Sequence, residues 1–129
     1  MSQKNKYKNF EFIKTSEGID EFILSKNGLK VLVLEDHAAP VATVMVTYHV
    51  GSRNEAIGYT GSTHLLEHLM FKGSKDYNKE NGTAIWTELQ SIGAQINATT
   101  WNDRTNYFEV VPSEHLEKAI AIEADRMRN

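Results

Sequence analysis

A chain of 129 residues is about one domain in length, enough to bury a core without disulfide or metal staples. With 40% hydrophobic residues, 24% charged and two prolines, its composition is that of an ordinary globular protein, which sets aside disordered and fibrous classes. Fourteen basic against seventeen acidic side chains give a net charge of -3 and no basic block for a nucleic-acid partner, and without cysteine any metal must be held by His, Asp or Glu.

Residues 1–20 are polar and lysine-rich and read as a leader ahead of one continuous domain over 21–129. No apolar segment follows the first residues and no run is long enough to span a bilayer, so a cytoplasmic protein with no membrane partner is expected. Two apolar runs, Phe22-Ile23-Leu24 and Leu29 to Leu34, flank Asn27-Gly28, the pair suited to the positive φ angles of a type I′ hairpin turn. Lys30 is the one charge between Leu29 and Leu34, which suggests a strand covered on both faces. Val41 to Val50, rich in Val and Thr, reads as a third strand ended by Gly51.

Ser62 and Thr63 are candidate N-caps for a helix running through His64 to about Phe71, with Gly73 as its stop. A second helix is expected over 82–92, with Ile85, Trp86 and Leu89 at helical spacing and Gly93 closing it. The period then returns to two. Ala94 to Thr100 and Thr105 to Val111 read as strands joined by the polar turn Trp101-Asn102-Asp103-Arg104. Pro112-Ser113 opens a last helix with Leu116, Ile120 and Met127 as its apolar stripe. Trp86, Trp101, Tyr107, Phe108, Met45, Met70 and Met127 follow these periods and read as core. The fold class is α/β of the two-layer α+β kind: a mixed, largely antiparallel sheet covered by helices.

The strongest chemical signal is His64-Leu65-Leu66-Glu67-His68 on the first helix. At about 100° per residue, His64, Glu67 and His68 project from one side, a turn apart, with Leu65, Leu66, Leu69 and Met70 turning the other face inward. Two imidazoles so placed can grip one zinc ion, and Glu67 can serve as base toward a water. Histidines a turn apart also occur on helices that bind nothing, and spacing alone leaves both readings open.

Around that motif, Gly51-Ser52-Arg53-Asn54-Glu55, Gly61 to Gly73, Gly93 to Thr99, Thr105-Asn106-Tyr107-Phe108 and Glu123-Ala124-Asp125-Arg126-Met127 stand in one order. Together they closely resemble the pitrilysin-type M16 zinc metallopeptidases, the inverzincins with an HxxEH signature, especially the bacterial and mitochondrial-processing-peptidase branch. The resemblance implies that His64 and His68 are zinc ligands and Glu67 the general base and acid. It also implies that a peptide lies extended along Gln95, Ile96, Asn97, Ala98 and Thr99 of an edge strand. On its own, Asn97 at such a strand end reads more often as a turn-stabilising residue than as a substrate contact.

The family takes its third ligand from a glutamate well past the second histidine, beyond Asn129. The chain is therefore expected to be the N-terminal portion of a zinc endopeptidase that uses one Zn2+ per complete site. Alone it is expected to bind zinc weakly and to turn over little or no peptide. The competing expectation is a non-catalytic structural or peptide-binding module. Self-association through uncovered surfaces, or pairing with a second homologous half, is a further expectation. Glu123, an acid among apolar positions, could in principle replace the missing ligand, but an ion pair with Arg126 or with a neighbour across the sheet is favoured.

Overall fold

A computed structural model describes residues 7–129, and the part of the expected leader at 1–6 lies outside the described residues. Two units divide at Ala39 and Pro40.

The first unit is a three-stranded antiparallel meander of β1 (Phe10–Ser16), β2 (Ile19–Leu24) and β3 (Lys30–Leu34). Residues 10–16, expected as leader, are instead a paired strand, because Phe10 and Phe12 on one face meet Leu24 and Phe22 across the ladder. Phe22 is buried, with the rings of Tyr7 and Phe12 edge-on at 5.5 and 5.6 Å. The type I′ signal falls on a different pair from the expected one. Glu17 and Gly18, at φ 52° and 83°, form the two-residue turn between β1 and β2, closed by the pair Ser16 and Ile19. The Asn27-Gly28 connection is a longer loop in which only Gly28 has positive φ, and both amides bond to the Leu24 carbonyl.

β3 is an edge strand and not a strand covered on both faces. Leu32 and Leu34 are 60% and 65% exposed. Leu32 lies opposite Glu21, which is ion-paired to Lys30 at 2.8 Å and Lys14 at 3.8 Å, so that face of the meander is a charged, solvated one.

The second unit holds a three-stranded antiparallel sheet in the order β4 (Val41–Tyr48), β6 (Thr105–Pro112), β5 (Gln95–Thr100). Among the described residues every strand pair is antiparallel, so the α+β class holds with two small sheets in place of one mixed sheet. Alternation decides the faces: Val44, Glu109 and Ile96 stand in register on one side, Met45, Phe108 and Asn97 on the other. The first side carries the helices α1 (Ser62–Leu69), α2 (Ile85–Ser91) and α3 (Leu116–Arg126), and its core is Ile85, Leu89, Val111, Ala119 and Ile122.

α2 is shorter than expected and ends as its sequence predicts. Gly93, at φ 75°, donates to the Gln90 carbonyl and Ala94 to that of Leu89, the paired bonds of a Schellman close. α3 presents a face other than the expected stripe. Leu116, Ile120 and Met127 are exposed, whereas Ala119, Ile122, Glu123 and Arg126 are buried. Trp86, Trp101 and Met45 are likewise exposed rather than core, although Trp86 still stacks on Phe71 at 5.4 Å.

Candidate metal and peptide site

The site is assembled where the loop after β4 meets the turn between β5 and β6. Ser52–Asn54 is a single 3-10 turn whose amides lie against that second turn: Ser52 donates to the Trp101 carbonyl at 3.0 Å and Arg53 to that of Asn102 at 2.8 Å. Gly51 permits this approach, since a Cβ there would stand 2.1 Å from the Trp101 carbonyl oxygen.

From this anchor the chain reaches Gly61, at φ 89°, and enters α1. The expected caps Ser62 and Thr63 are already helical, and the position before them has no side chain. Glu55 supplies the missing acceptor. One of its carboxylate oxygens accepts from the Gly61 amide at 2.8 Å, the other from the Thr63 amide at 3.0 Å and from the Thr63 hydroxyl. These donors, the Thr63 hydroxyl foremost, hold the Glu55 carboxyl below the usual carboxylate range.

α1 then presents its motif. His64 and His68 are exposed, and their Nε2 atoms lie 3.2 Å apart. Two ligands about 2.0–2.1 Å from a tetrahedral zinc stand about 3.3 Å apart, so this separation fits two corners of one coordination shell. Glu67, unlike the exposed histidines beside it, is buried against β5, where its carboxylate accepts the hydroxyl of Thr100. The leucines do not bury the helix. Leu65, Leu66 and Leu69 are about half exposed, since Glu67 and not the leucine face meets the sheet. Among the described residues no three His, Cys, Asp or Glu side chains converge as a metal-binding group. The residues present therefore fit part of a zinc shell, the His pair.

Of the residues expected to hold peptide, Gln95, Asn97 and Thr99 are exposed, Ile96 packs on the core and Ala98 is buried. All five lie on β5, whose only strand neighbour among the described residues is β6, leaving its other edge without a strand among them. Asn97 is not a turn residue here; its side chain accepts from the next amide, that of Ala98, at 2.9 Å. A cleft of about 190 Å³ opens at the end of this strand, lined by Glu55, Thr63, His64, Thr100 and Trp101 among others.

Sequence reasoning missed three groups. Thr100 and Glu55 look generic in sequence, and only the meeting of β5, α1 and the 3-10 turn gives them partners. Glu109 carried a signal: it is an acid at an inward position of β6, between Tyr107 and Val111 on the same face of the strand. Arg126 bonds Glu123, the expected partner, and also Glu109 at 3.1 Å, all three buried. The guanidinium lies 4.3 Å from the Tyr107 ring centre and 5.2 Å from that of Phe71. Burial pushes the Tyr107 phenol up to about 12; Arg126 opposes the rise and Glu67 adds to it.

Residues 30–129 match the family described as Insulinase (Peptidase family M16), and the chain belongs to that family. It is 38% identical over 104 residues to an uncharacterized zinc protease of Rickettsia bellii, covering 81% of this chain and 24% of that protein. It is 39% identical to subunit 1 of the mitochondrial cytochrome b-c1 complex of Caenorhabditis elegans, covering 81% and 21%. The crystal structure of a protease from Helicobacter pylori superposes with a TM-score of 0.77 at 34% identity, over 84% of this chain and 26% of that one. The chain thus spans about a quarter of the length of each of these three relatives. Among the described residues no helix is long and apolar enough to cross a membrane.

Proposed function

We propose that the chain supplies part of the active site of a zinc-dependent endopeptidase: His64 and His68 as two zinc ligands, Glu67 as the acid and base, and β5 from Gln95 to Thr99 as the edge on which substrate lies. The observation that carries this is the 3.2 Å separation of the two Nε2 atoms. When bound, zinc supplies Lewis-acid polarisation of a peptide carbonyl and acidification of water. The remaining work falls to the chain. Backbone groups along the open edge of β5 hold a peptide as an added strand, independent of its side chains. Glu67, steadied by Thr100, takes a proton from the attacking water and returns it to the departing amine.

Among the described residues the two histidines stand without a third ligand, which implies weak metal binding by this chain and little turnover, as the family pattern also leads one to expect. Equilibrium dialysis followed by metal analysis tests the reading: wild type should retain zinc, and His64→Ala should retain markedly less. A wild-type chain that holds no more zinc than His64→Ala would favour the second reading, a non-catalytic structural or peptide-binding module. The likeness to a cytochrome b-c1 subunit, a protein named for its assembly and not for hydrolysis, supports that alternative.

A further inference from the structure

α1 owes its placement to a residue outside it. An N-cap normally offers a side-chain oxygen to the first amides of a helix, but Gly61 has none, and its left-handed backbone fixes only the direction of entry. Glu55 gives both carboxylate oxygens to this task and accepts three donors, the Gly61 amide, the Thr63 amide and the Thr63 hydroxyl. Its charge also complements the positive end of the helix dipole. The other end of the linkage is equally fixed. Glu55 follows directly on Ser52–Asn54, which is tied to the β5–β6 turn through Trp101 and Asn102 and internally through the Gly51 amide and the Asn54 side chain at 3.0 Å. The Ser52 hydroxyl adds a contact to the Asn102 side chain at 3.2 Å.

These bonds form one path from the end of the strand proposed to hold peptide to the first turn of the helix bearing the histidines. His64 follows Thr63 directly, so a rotation or slide of that first turn moves its ring relative to His68 and to the β5 edge. Thr100 and Glu67 form a second tie between the same strand and the same helix, about a turn further along. A helix held at two points along its length can neither tilt nor slide against the strand. With one tie it can pivot.

We propose that Glu55 is a positioning residue for the His64 and His68 pair, setting the helix so that both imidazoles converge on one ion beside the peptide-holding edge. This rests on the zinc reading given above for the two histidines. Loss of a group that orients ligands from outside the coordination shell commonly weakens metal binding about ten- to a hundredfold.

The test compares the wild-type chain with Glu55→Ala, Glu55→Gln and His64→Ala by zinc competition against a chromogenic chelator, together with imidazole 1H–15N spectra of the metal-free proteins. Glu55→Ala should bind zinc at least about tenfold more weakly. Its His64 and His68 ring signals should shift. Glu55→Gln, which keeps an acceptor oxygen, should fall between and serves as the reading variant if the alanine form does not fold. Zinc affinity within twofold of wild type and unmoved ring signals in a folded variant, even with a lowered unfolding midpoint, would make Glu55 a plain helix cap and overturn the proposal. If wild type and His64→Ala bind zinc equally, the zinc reading fails instead, and the ring spectra alone decide whether Glu55 sets the pair.

Discussion

Thr100 carries the most weight for its size. Its hydroxyl donates to a carboxylate that α1 has turned away from solvent, and Glu67 is left only 8% exposed. A buried carboxylate needs donors in place of lost water, and the Thr100 hydroxyl supplies one that holds Glu67 in place. Thr100→Val preserves the shape of the side chain and removes the donor. It should cost about 1–3 kcal/mol of unfolding free energy in urea titration, whereas Thr100→Ser should cost much less. Equal stability of wild type and Thr100→Val would mean that the bond is not held in solution. The same geometry explains why HxxEH was readable as a motif while its disposition was not. Helical angles put Glu67 on the side of the histidines, but which of the three residues faces the sheet depends on how the helix rolls against β5, and no local pattern encodes that.

Helices and strands show the same division. The Schellman close at Gly93 and the β5–β6 hairpin follow from residues within a few positions of each feature, and the sequence places them correctly; the histidine helix is foreseen too, but it starts at Ser62, ahead of its expected first turn. The buried face of α3 does not follow from such residues. Hydrophobicity alone selects Leu116, Ile120 and Met127, yet the sheet receives Ala119, Ile122, Glu123 and Arg126, because Glu109 on β6 offers Arg126 a buried partner some seventeen positions away in sequence. Ile122→Ala should therefore cost about 2–5 kcal/mol, as for a fully enclosed side chain, and Ile120→Ala well under that. Unfolding midpoints of the two variants measure the difference, and a larger loss for Ile120→Ala would restore the stripe read from hydrophobicity. In the first unit the tight turn moved to Glu17-Gly18 because the β1–β2 ladder closes there, a pairing that depends on residues 10–16, which look polar enough to be a leader.

Stability as a function of pH joins these local features into one property. Glu109, Glu123 and Arg126 bury two carboxyls against one guanidinium, with the Tyr48 and Tyr107 rings in edge contact at 5.9 Å nearby. Burial, the hydrogen bond with Glu123 and its charge push the Glu109 carboxyl up to about 9, while Arg126 pulls the other way. In the folded chain Glu109 therefore keeps its proton from its ordinary value of 4.5 up to about 9, whereas the unfolded chain releases it near 4.5. The folded state binds more protons throughout that window, so its stability falls as pH rises, by at most about 1.4 kcal/mol per pH unit from this one group. The contribution is fully present below the ordinary value and gone above about 9. Glu55, Glu21 and Asp125 act in the opposite sense: their carboxyls are held below their ordinary values, and the stability they add is lost as acid protonates them. A maximum on the mildly acidic side of neutrality follows, with a decline toward alkaline pH. Glu109→Gln keeps an acceptor for Arg126 and has no proton to lose, so urea titrations from pH 5 to 9 should show a distinctly flatter decline than wild type. An unchanged slope in that variant would move the alkaline sensitivity elsewhere and leave Glu109 ionised in its cluster with Arg126.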